Sequence, residues 1–476
     1  MEHDLPFLCL TELSQQLAAG RTTSRRIVAD CLARIVAQDD KLHAFIDVYA
    51  DDAIAAAEAA DLERAAGFVR GPLHGLPIAL KDLLHIEGRQ TTAGSKSWLG
   101  QRSKRTATCV SRLVAAGMIP LGKTHMVEFA FGTWGLNRPL GAPWNPWDLT
   151  THRVAGGSSS GSAVAVAAGM APAAIGSDTG GSVRIPASLN GLTGLKLTCG
   201  LVSLAGVVPL STTLDSIGPL TRTIDDAALL VAAMAGPDPD DAATLAVPQI
   251  DLVAALSGDA DIRGMRITCL AAEQLPANAD PDVLRVRAET IDVLRGLGAL
   301  VDEAPIPFEF AELGPKNGRL IAIEAYAFHR AYIEDPALDI DPAVRGRIVG
   351  GKGATAVEYL DALSERDRAA AAFADWMRGR DLLLTPMLPI AAIPVAAADE
   401  ATAPLATFSR AVNYLKGCAV SLPAGLSGAG LPIGMQLVGA AFADASLVRA
   451  GRAFQRATDW HRRRPDLSAL RREAID

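Results

Sequence analysis

Across residues 11–36 apolar positions recur at helical spacing, with Ile27, Val28, Cys31, Leu32 and Ile35 on one face behind the capping cluster Thr22-Thr23-Ser24. An N-terminal helical pair is predicted. The Ala/Glu/Asp/Arg run 51–66 predicts another helix, ending before Gly71-Pro72. The run Leu76-Pro77-Ile78-Ala79-Leu80 is apolar throughout and short, as a buried strand is, and Lys81 stands just past it. Residues 108–116 read as helix and 119–122 as strand, and 126–131 leads into a loop at 132–147 that contains glycine and tryptophan. Between residues 156 and 186 an Ala/Val segment long enough for a helix and a return strand separates two Gly/Ser clusters. Then follow a helix at 223–235, a loop at 236–241, a strand at 265–270, a helix at 281–297, a strand at 299–301, a mostly helical 310–380 and a strand at 381–385. Helices and strands alternate, so an α/β architecture is expected, as one domain with a helical excursion at about 310–380.

Composition narrows this picture. With 476 residues and 49% hydrophobic content the chain can bury one large core or two smaller ones, and no apolar tract is long enough to span a bilayer uninterrupted. The start Met-Glu-His-Asp-Leu-Pro-Phe lacks the basic and apolar regions of a secretory signal, so a cytoplasmic location and no membrane partner are expected. Net charge is −8, and basic residues are scattered apart from Arg462-Arg463-Arg464, which argues against a nucleic-acid partner. The six cysteines are widely spaced without a C-x-x-C pair and there is no H-E-x-x-H, so the cysteines read as small buried hydrophobes. No metal and no cofactor are expected.

The candidate chemistry lies in the two clusters. Gly156-Gly157-Ser158-Ser159-Ser160-Gly161-Ser162 and Gly176-Ser177-Asp178-Thr179-Gly180-Gly181-Ser182 can meet in space after a helix and a return strand, so two serines can share one pocket. The turn Thr179-Gly180-Gly181-Ser182 can aim several N–H groups at one point, as an oxyanion hole requires. Lys81, at the carboxyl end of a buried strand, stands where ligands collect in open α/β sheets. The loop from Gly132, with Trp134 as its natural aromatic surface, is a candidate pocket wall, and simple loop packing is the alternative for Trp134.

These clusters, with Ser182 placed 24 positions after Ser158, resemble the amidase signature family. The likeness extends to G-L-P-I-A-L-K-D around Lys81, to G-L-K-L-T-C-G-L-V-S and L-D-S-I-G-P-L-T-R-T-I-D-D-A-A downstream, and to G-L-P-I-G-M-Q-L-V-G at 430–439; residues 236–370 match least. The resemblance implies a large mixed β-sheet core surrounded by helices. It implies a single domain over 1–476, with a signature-like core at about 65–235, a less typical, partly helical segment at 236–380 and a C-terminal core part at 381–476. It implies a Ser-Ser-Lys triad in which Ser182 attacks the carbonyl, Ser158 relays the proton and Lys81 is the base. It also implies a cis peptide at Gly157-Ser158. Asp178 and Arg184, flanking the nucleophile loop, are assigned support by pairing with each other or with its backbone. The expected substrate is a small-molecule amide or carbamate, and a homodimer is compatible with the sequence.

Physical chemistry permits this triad if Lys81 is neutral, because an amine buried behind residues 76–80 loses its proton near physiological pH. The opposing reading is a lysine ion-paired with Asp82. Leu197, Cys199 and Leu201 stand where many relatives have proline, tyrosine and arginine, which argues for a free-standing amidase over the glutamine-hydrolysing A subunit of a tRNA-dependent amidotransferase. A non-catalytic homologue is disfavoured by the presence of all three triad residues. Gly157-Ser158-Ser159-Ser160-Gly161 also fits the nucleophile elbow of α/β hydrolases with Ser159 as nucleophile, although polar residues rather than a strand precede it. No Gly-Lys-Ser/Thr follows the glycines, which excludes a phosphate-binding loop.

Overall fold

The computed structural model describes residues 5–248, 250–256, 258 and 260–470. Eleven strands form one sheet: β1 (Phe45–Val48), β2 (Pro77–Lys81), β3 (Ile119–Thr124), β4 (Ala173–Ser177), β5 (Thr193–Lys196), β6 (Ile217–Thr221), β7 (Arg266–Leu270), β8 (Leu300–Ala304), β9 (Leu382–Pro386), β10 (Cys418–Leu426) and β11 (Pro432–Gly439). Their order is β1-β3-β2-β4-β6-β5-β10-β11-β9-β7-β8. Pairing is parallel for β3-β2-β4 and for β9-β7-β8 and antiparallel elsewhere, so the sheet is mixed. Strands from all three sequence segments join it without a break.

The helices around it are α1 (Leu10–Ala18), α2 (Ser24–Leu42), α3 (Ala50–Ala65), α4 (Thr108–Ala115), α5 (Ser160–Ala167), α6 (Arg184–Leu189), α7 (Ile224–Met234), α8 (Pro281–Gly296), α9 (Phe310–His329), α10 (Pro342–Val349), α11 (Ala356–Trp376), α12 (Ser409–Tyr414) and α13 (Asp444–Ala457). Thr23 caps α2 by accepting from Arg26 N–H at 3.1 Å, as its capping cluster predicts. Cys9 departs from the expectation of a buried hydrophobe. Its sulfur accepts from Glu12 N–H at 3.4 Å and the Glu12 carboxylate accepts from Cys9 N–H, a reciprocal cap on α1. The apolar pattern along residues 310–380 forms α9, α10 and α11.

The central strands carry what the site needs. In β2, β4 and β6 every residue is buried, so helices cover both faces. Gly176 of β4 faces Gly218 of β6, and a Cβ at Gly218 would stand 2.2 Å from the Leu195 carbonyl oxygen of β5. Glycine there lets three backbones close up beside the loop at 178–182. Strands β5 and β6, T-G-L-K and I-G-P-L-T, carry no apolar run, and the hydrophobic pattern passes them over. Among the described residues no helix is long and apolar enough to cross a membrane.

Candidate active site

Parallel pairing of β2 with β4 sets Ala79 opposite Ala174 and Leu80 opposite Ile175, so both strands end at the same edge of the sheet. Lys81 closes β2 and Ser177 closes β4. The Lys81 ammonium nitrogen lies 2.8 Å from Ser177 Oγ and 2.7 Å from Ser158 Oγ. Lys81 and Ser158 are completely buried.

Ser158 reaches this point from the loop before α5, and the peptide between Gly157 and Ser158 is cis. The loop is held from several sides. Gly157 N–H donates to the Thr133 carbonyl at 2.8 Å, and the Ser158 carbonyl accepts from Val127 N–H at 3.1 Å. Gly161, in the first turn of α5, sits so close to β1 that a Cβ would stand 2.3 Å from the Ala44 carbonyl oxygen. The two clusters meet directly where Ser159 N–H donates to the Ser182 carbonyl at 3.2 Å.

Burial holds the Lys81 amine down at about 7, although Asp215 and Asp178 act in the opposite sense. The side chain is therefore largely neutral at mildly alkaline pH, with two hydroxyls in reach. Such an amine can take a proton from Ser158. Asp82 is not its partner. Leaving the strand on the other side, the Asp82 carboxylate stands 3.2 Å from the Lys123 ammonium and accepts from Thr92 N–H at 3.0 Å.

Ser182 sits at the open end of the constellation at 7% exposure, and among the described residues no hydrogen bond reaches its hydroxyl. Its loop is shaped by Asp178, whose carboxylate accepts from Gly181 N–H at 2.8 Å and Val183 N–H at 3.2 Å. The N–H of Gly181 is therefore spent inside the loop. Those of Thr179, Gly180 and Ser182 have no acceptor among the described residues, so three N–H donors of this turn remain unspent, as an oxyanion hole would require. Gly181 serves the turn, with φ at +118° and Ser409 Oγ 2.3 Å from where a Cβ would be.

Arg184 pairs with Asp178 through Nε at 2.9 Å and Nη2 at 2.9 Å, both side chains fully buried. Its Nη1 also donates to Gln436 Oε1 at 2.6 Å and its Nη2 to Asn413 Oδ1 at 2.5 Å, tying the loop to β11 and α12. The guanidinium holds the Asp178 carboxyl far below the usual carboxylate range against the opposing effect of burial. Asp178→Asn leaves a buried guanidinium without its counter-charge, and a loss of about 3 kcal/mol or more is expected in urea unfolding.

Trp134 does not offer an open aromatic face. It is 4% exposed in a buried cluster with Val154, Ile185 and Leu189, and its indole N–H donates to the Asp399 carbonyl at 3.0 Å. Packing explains it. Gly132 is half-buried, and a Cβ there would come within 3.4 Å of Arg347 Nη2. Ser159 keeps its hydroxyl on the Ser177 backbone at 3.4 Å, with no strand leading into it and, among the described residues, no histidine bonded to it.

Sequence reasoning passed over Ser177, the second partner of Lys81, although it lies inside the second cluster. It also passed over Thr179 Oγ1, which donates to Asp215 Oδ1 at 2.5 Å, because only the fold brings Asp215 beside the loop. Burial pushes Asp215 up to about 6. Among the described residues no group of three or more His, Cys, Asp or Glu side chains is placed to hold a metal ion.

Comparison with known proteins places this geometry in context. A family model described as Amidase matches residues 26–448. The A subunit of a glutamyl-tRNA(Gln) amidotransferase from Chloroflexus aggregans is 39% identical over 98% of this chain and 99% of its own length. Among solved structures, a chain of the vestigial protein complex that bears on the origins of an s-triazine catabolic enzyme superposes with a TM-score of 0.87 at 33% identity, covering 94% of this chain and 98% of that one. The peptide amidase from Stenotrophomonas maltophilia gives 0.83 at 31% identity, covering 96% and 98%.

These relatives correct one expectation. The exclusion of nucleic acid as a partner does not stand, since curated relatives matching end to end are subunits of an enzyme named for a tRNA. Net charge bears on direct contact with phosphates, and one member of an assembly can serve a tRNA without a basic face of its own. Nor do Leu197, Cys199 and Leu201 separate this chain from those subunits. Leu197 and Leu201 are packed into the main apolar core and the Cys199 thiol faces the Leu214 carbonyl at 3.9 Å, so they alter packing behind β5. With a model match over most of its length and relatives alike from end to end, the chain belongs to the amidase signature family of amidohydrolases.

Proposed function

We propose that the protein cleaves a carboxamide C–N bond through a serine acyl-enzyme, with Ser182 as nucleophile, Ser158 as proton relay and Lys81 as base. The observation that carries this reading is the buried Lys81 amine, lowered to about 7 and hydrogen-bonded to Ser158 Oγ at 2.7 Å. Neutral Lys81 accepts the Ser158 proton as Ser158 accepts that of Ser182, and the Ser182 oxygen attacks the carbonyl. The oxyanion that forms faces the free N–H groups of Thr179, Gly180 and Ser182. The same relay run backward protonates the leaving nitrogen, and water repeats the sequence to release the acid. Ser177 orients Lys81 through the second hydrogen bond. Ser177→Ala is expected to lower kcat about three- to tenfold, the scale of one lost hydrogen bond, with KM little changed in steady-state kinetics.

Two settings for this chemistry have specific support. The curated relatives favour the A subunit of a tRNA-dependent amidotransferase, with glutamine as the amide. The structural likeness to a peptide amidase favours an enzyme acting alone. A panel of glutamine, aliphatic amides, anilides and carbamates tests both on the isolated chain. Turnover confined to glutamine and enhanced by partner subunits supports the first setting; turnover of simple amides without a partner supports the second. No release of amine or ammonia from any member, with or without partners, overturns the amidohydrolase reading.

A further inference from the structure

Beside the nucleophile loop lies a guanidinium that has no counter-ion among the described residues. Arg410, the second residue of α12, follows Ser409, whose hydroxyl donates to the Gly180 carbonyl at 2.7 Å. A Cβ on Gly180 would come within 3.1 Å of the Arg410 side chain and 3.3 Å of Asn317 Oδ1, and one on Gly318 within 3.6 Å of Arg410 Nη1. Arg410 is half-buried, and among the described residues its guanidinium forms no ion pair and no hydrogen bond. Asn317 is completely buried, with neither its amide oxygen nor its amide nitrogen partnered.

Both features are costly in a folded protein, where buried polar groups are nearly always paired. The surroundings do not supply the missing partner. The neighbouring cation, Arg347 of α10, has Glu400 Oε2 at 3.5 Å, and Glu400 also pairs with Arg138 at 2.8 Å. Asp341 acts on Arg347 as well, but its carboxylate is occupied by the N–H groups of Arg138 and Ala343. Among the described residues no carboxylate acts on Arg410, whose guanidinium burial and then Arg347 push down to about 10, leaving it charged at neutral pH.

We propose that Arg410, with Asn317 beside it, anchors a carboxylate carried on the acyl portion of the substrate amide. A guanidinium offers parallel N–H donors matched to a carboxylate, and the Asn317 amide adds a further donor at the same place. Gly180 and Ser182 are two residues apart, so their Cα atoms are at most about 7 Å from each other. An anion held beside Gly180 is thus one short carbon chain from Ser182, and the substrate class is the monoamide of a short diacid or acidic amino acid. This inference rests on the amidohydrolase reading and specifies its substrate.

The test compares succinamate with butyramide, equal in length and differing in the carboxylate. The expected wild-type kcat/KM is on the order of 100-fold higher for succinamate, the low end of what removing one partner of a buried charge pair costs. Arg410→Gln is expected to remove that preference while leaving butyramide turnover near the wild-type value, and Arg410→Lys to keep part of it. Calorimetric titration of Ser182→Ala protein with succinamate supplies a readout without turnover, and binding should be lost in the Ser182→Ala, Arg410→Gln double variant. Equal use of the two amides by the wild type, equal binding of the two, or a parallel loss on both in Arg410→Gln overturns the anchor. If Ser182→Ala hydrolyses amides normally, the nucleophile assignment fails, and the binding comparison still decides the role of Arg410.

Discussion

Ser182→Ala is expected to abolish amide turnover, by roughly 10⁴-fold or more, because without its oxygen no acyl-enzyme forms. Stability should change by no more than about 0.5 kcal/mol, since the hydroxyl forms no hydrogen bond within the described residues. Ser158→Ala should cost less, because water can enter between Lys81 and Ser182 and carry part of the proton transfer. A fluorophosphonate should label the wild type on Ser182, located by peptide mapping, and an adduct on Ser159 would restore the elbow reading. A fully active Ser158→Ala would remove the relay.

The second large effect is expected at Lys81. Lys81→Met keeps the volume and removes the base, with turnover falling by on the order of 10²–10⁴-fold or more. Lys81→Arg should be equally inactive, since a guanidinium stays protonated at working pH, and near-full activity in a folded Lys81→Arg protein would sink the assignment. In the wild type kcat/KM should rise with pH through an apparent ionisation near 7, because only the neutral amine can act as base.

The same ionisation appears in stability with a definite sign. The unfolded lysine holds its proton up to about 10.4 while the folded one releases it near 7, so between these values the unfolded state binds more protons. The Lys81 contribution to stability therefore improves as pH rises from about 7 to about 10.4. It is at its most unfavourable below 7, where both states are protonated. Denaturant unfolding of wild type and Lys81→Met across this window should converge toward high pH. A pH-independent difference would mean that Lys81 is not neutral in the fold.

Much of this site could be read along the chain. The serine clusters are each only a few residues long, and their glycines meet local demands for tight turns and close approach, so the pattern survives in linear order. The buried strand ending at Lys81 was equally plain, because a strand covered on both faces leaves a continuous apolar run. Helices α1, α2, α4 and α7 followed from periodicity and capping for the same local reason. Strands β5, β6 and β10 were not legible. Their glycines and prolines serve close backbone contacts with distant neighbours, and nothing local marks them.

The sequence by itself determined the α/β class, the two serine clusters and a lysine able to reach them, since each rests on short-range pattern. Only the tertiary structure decided the partners. Ser177 became the second ligand of Lys81 through the β2-β4 register, and Asp82 went to Lys123 because it leaves the strand on the other side. Arg184 found Gln436 and Asn413 more than 200 residues away, and Arg410 came to lie beside Gly180 with no counter-ion among the described residues. Charge pairing and pKa depend on which groups share a low-dielectric volume, and that volume is assembled from remote parts of the chain.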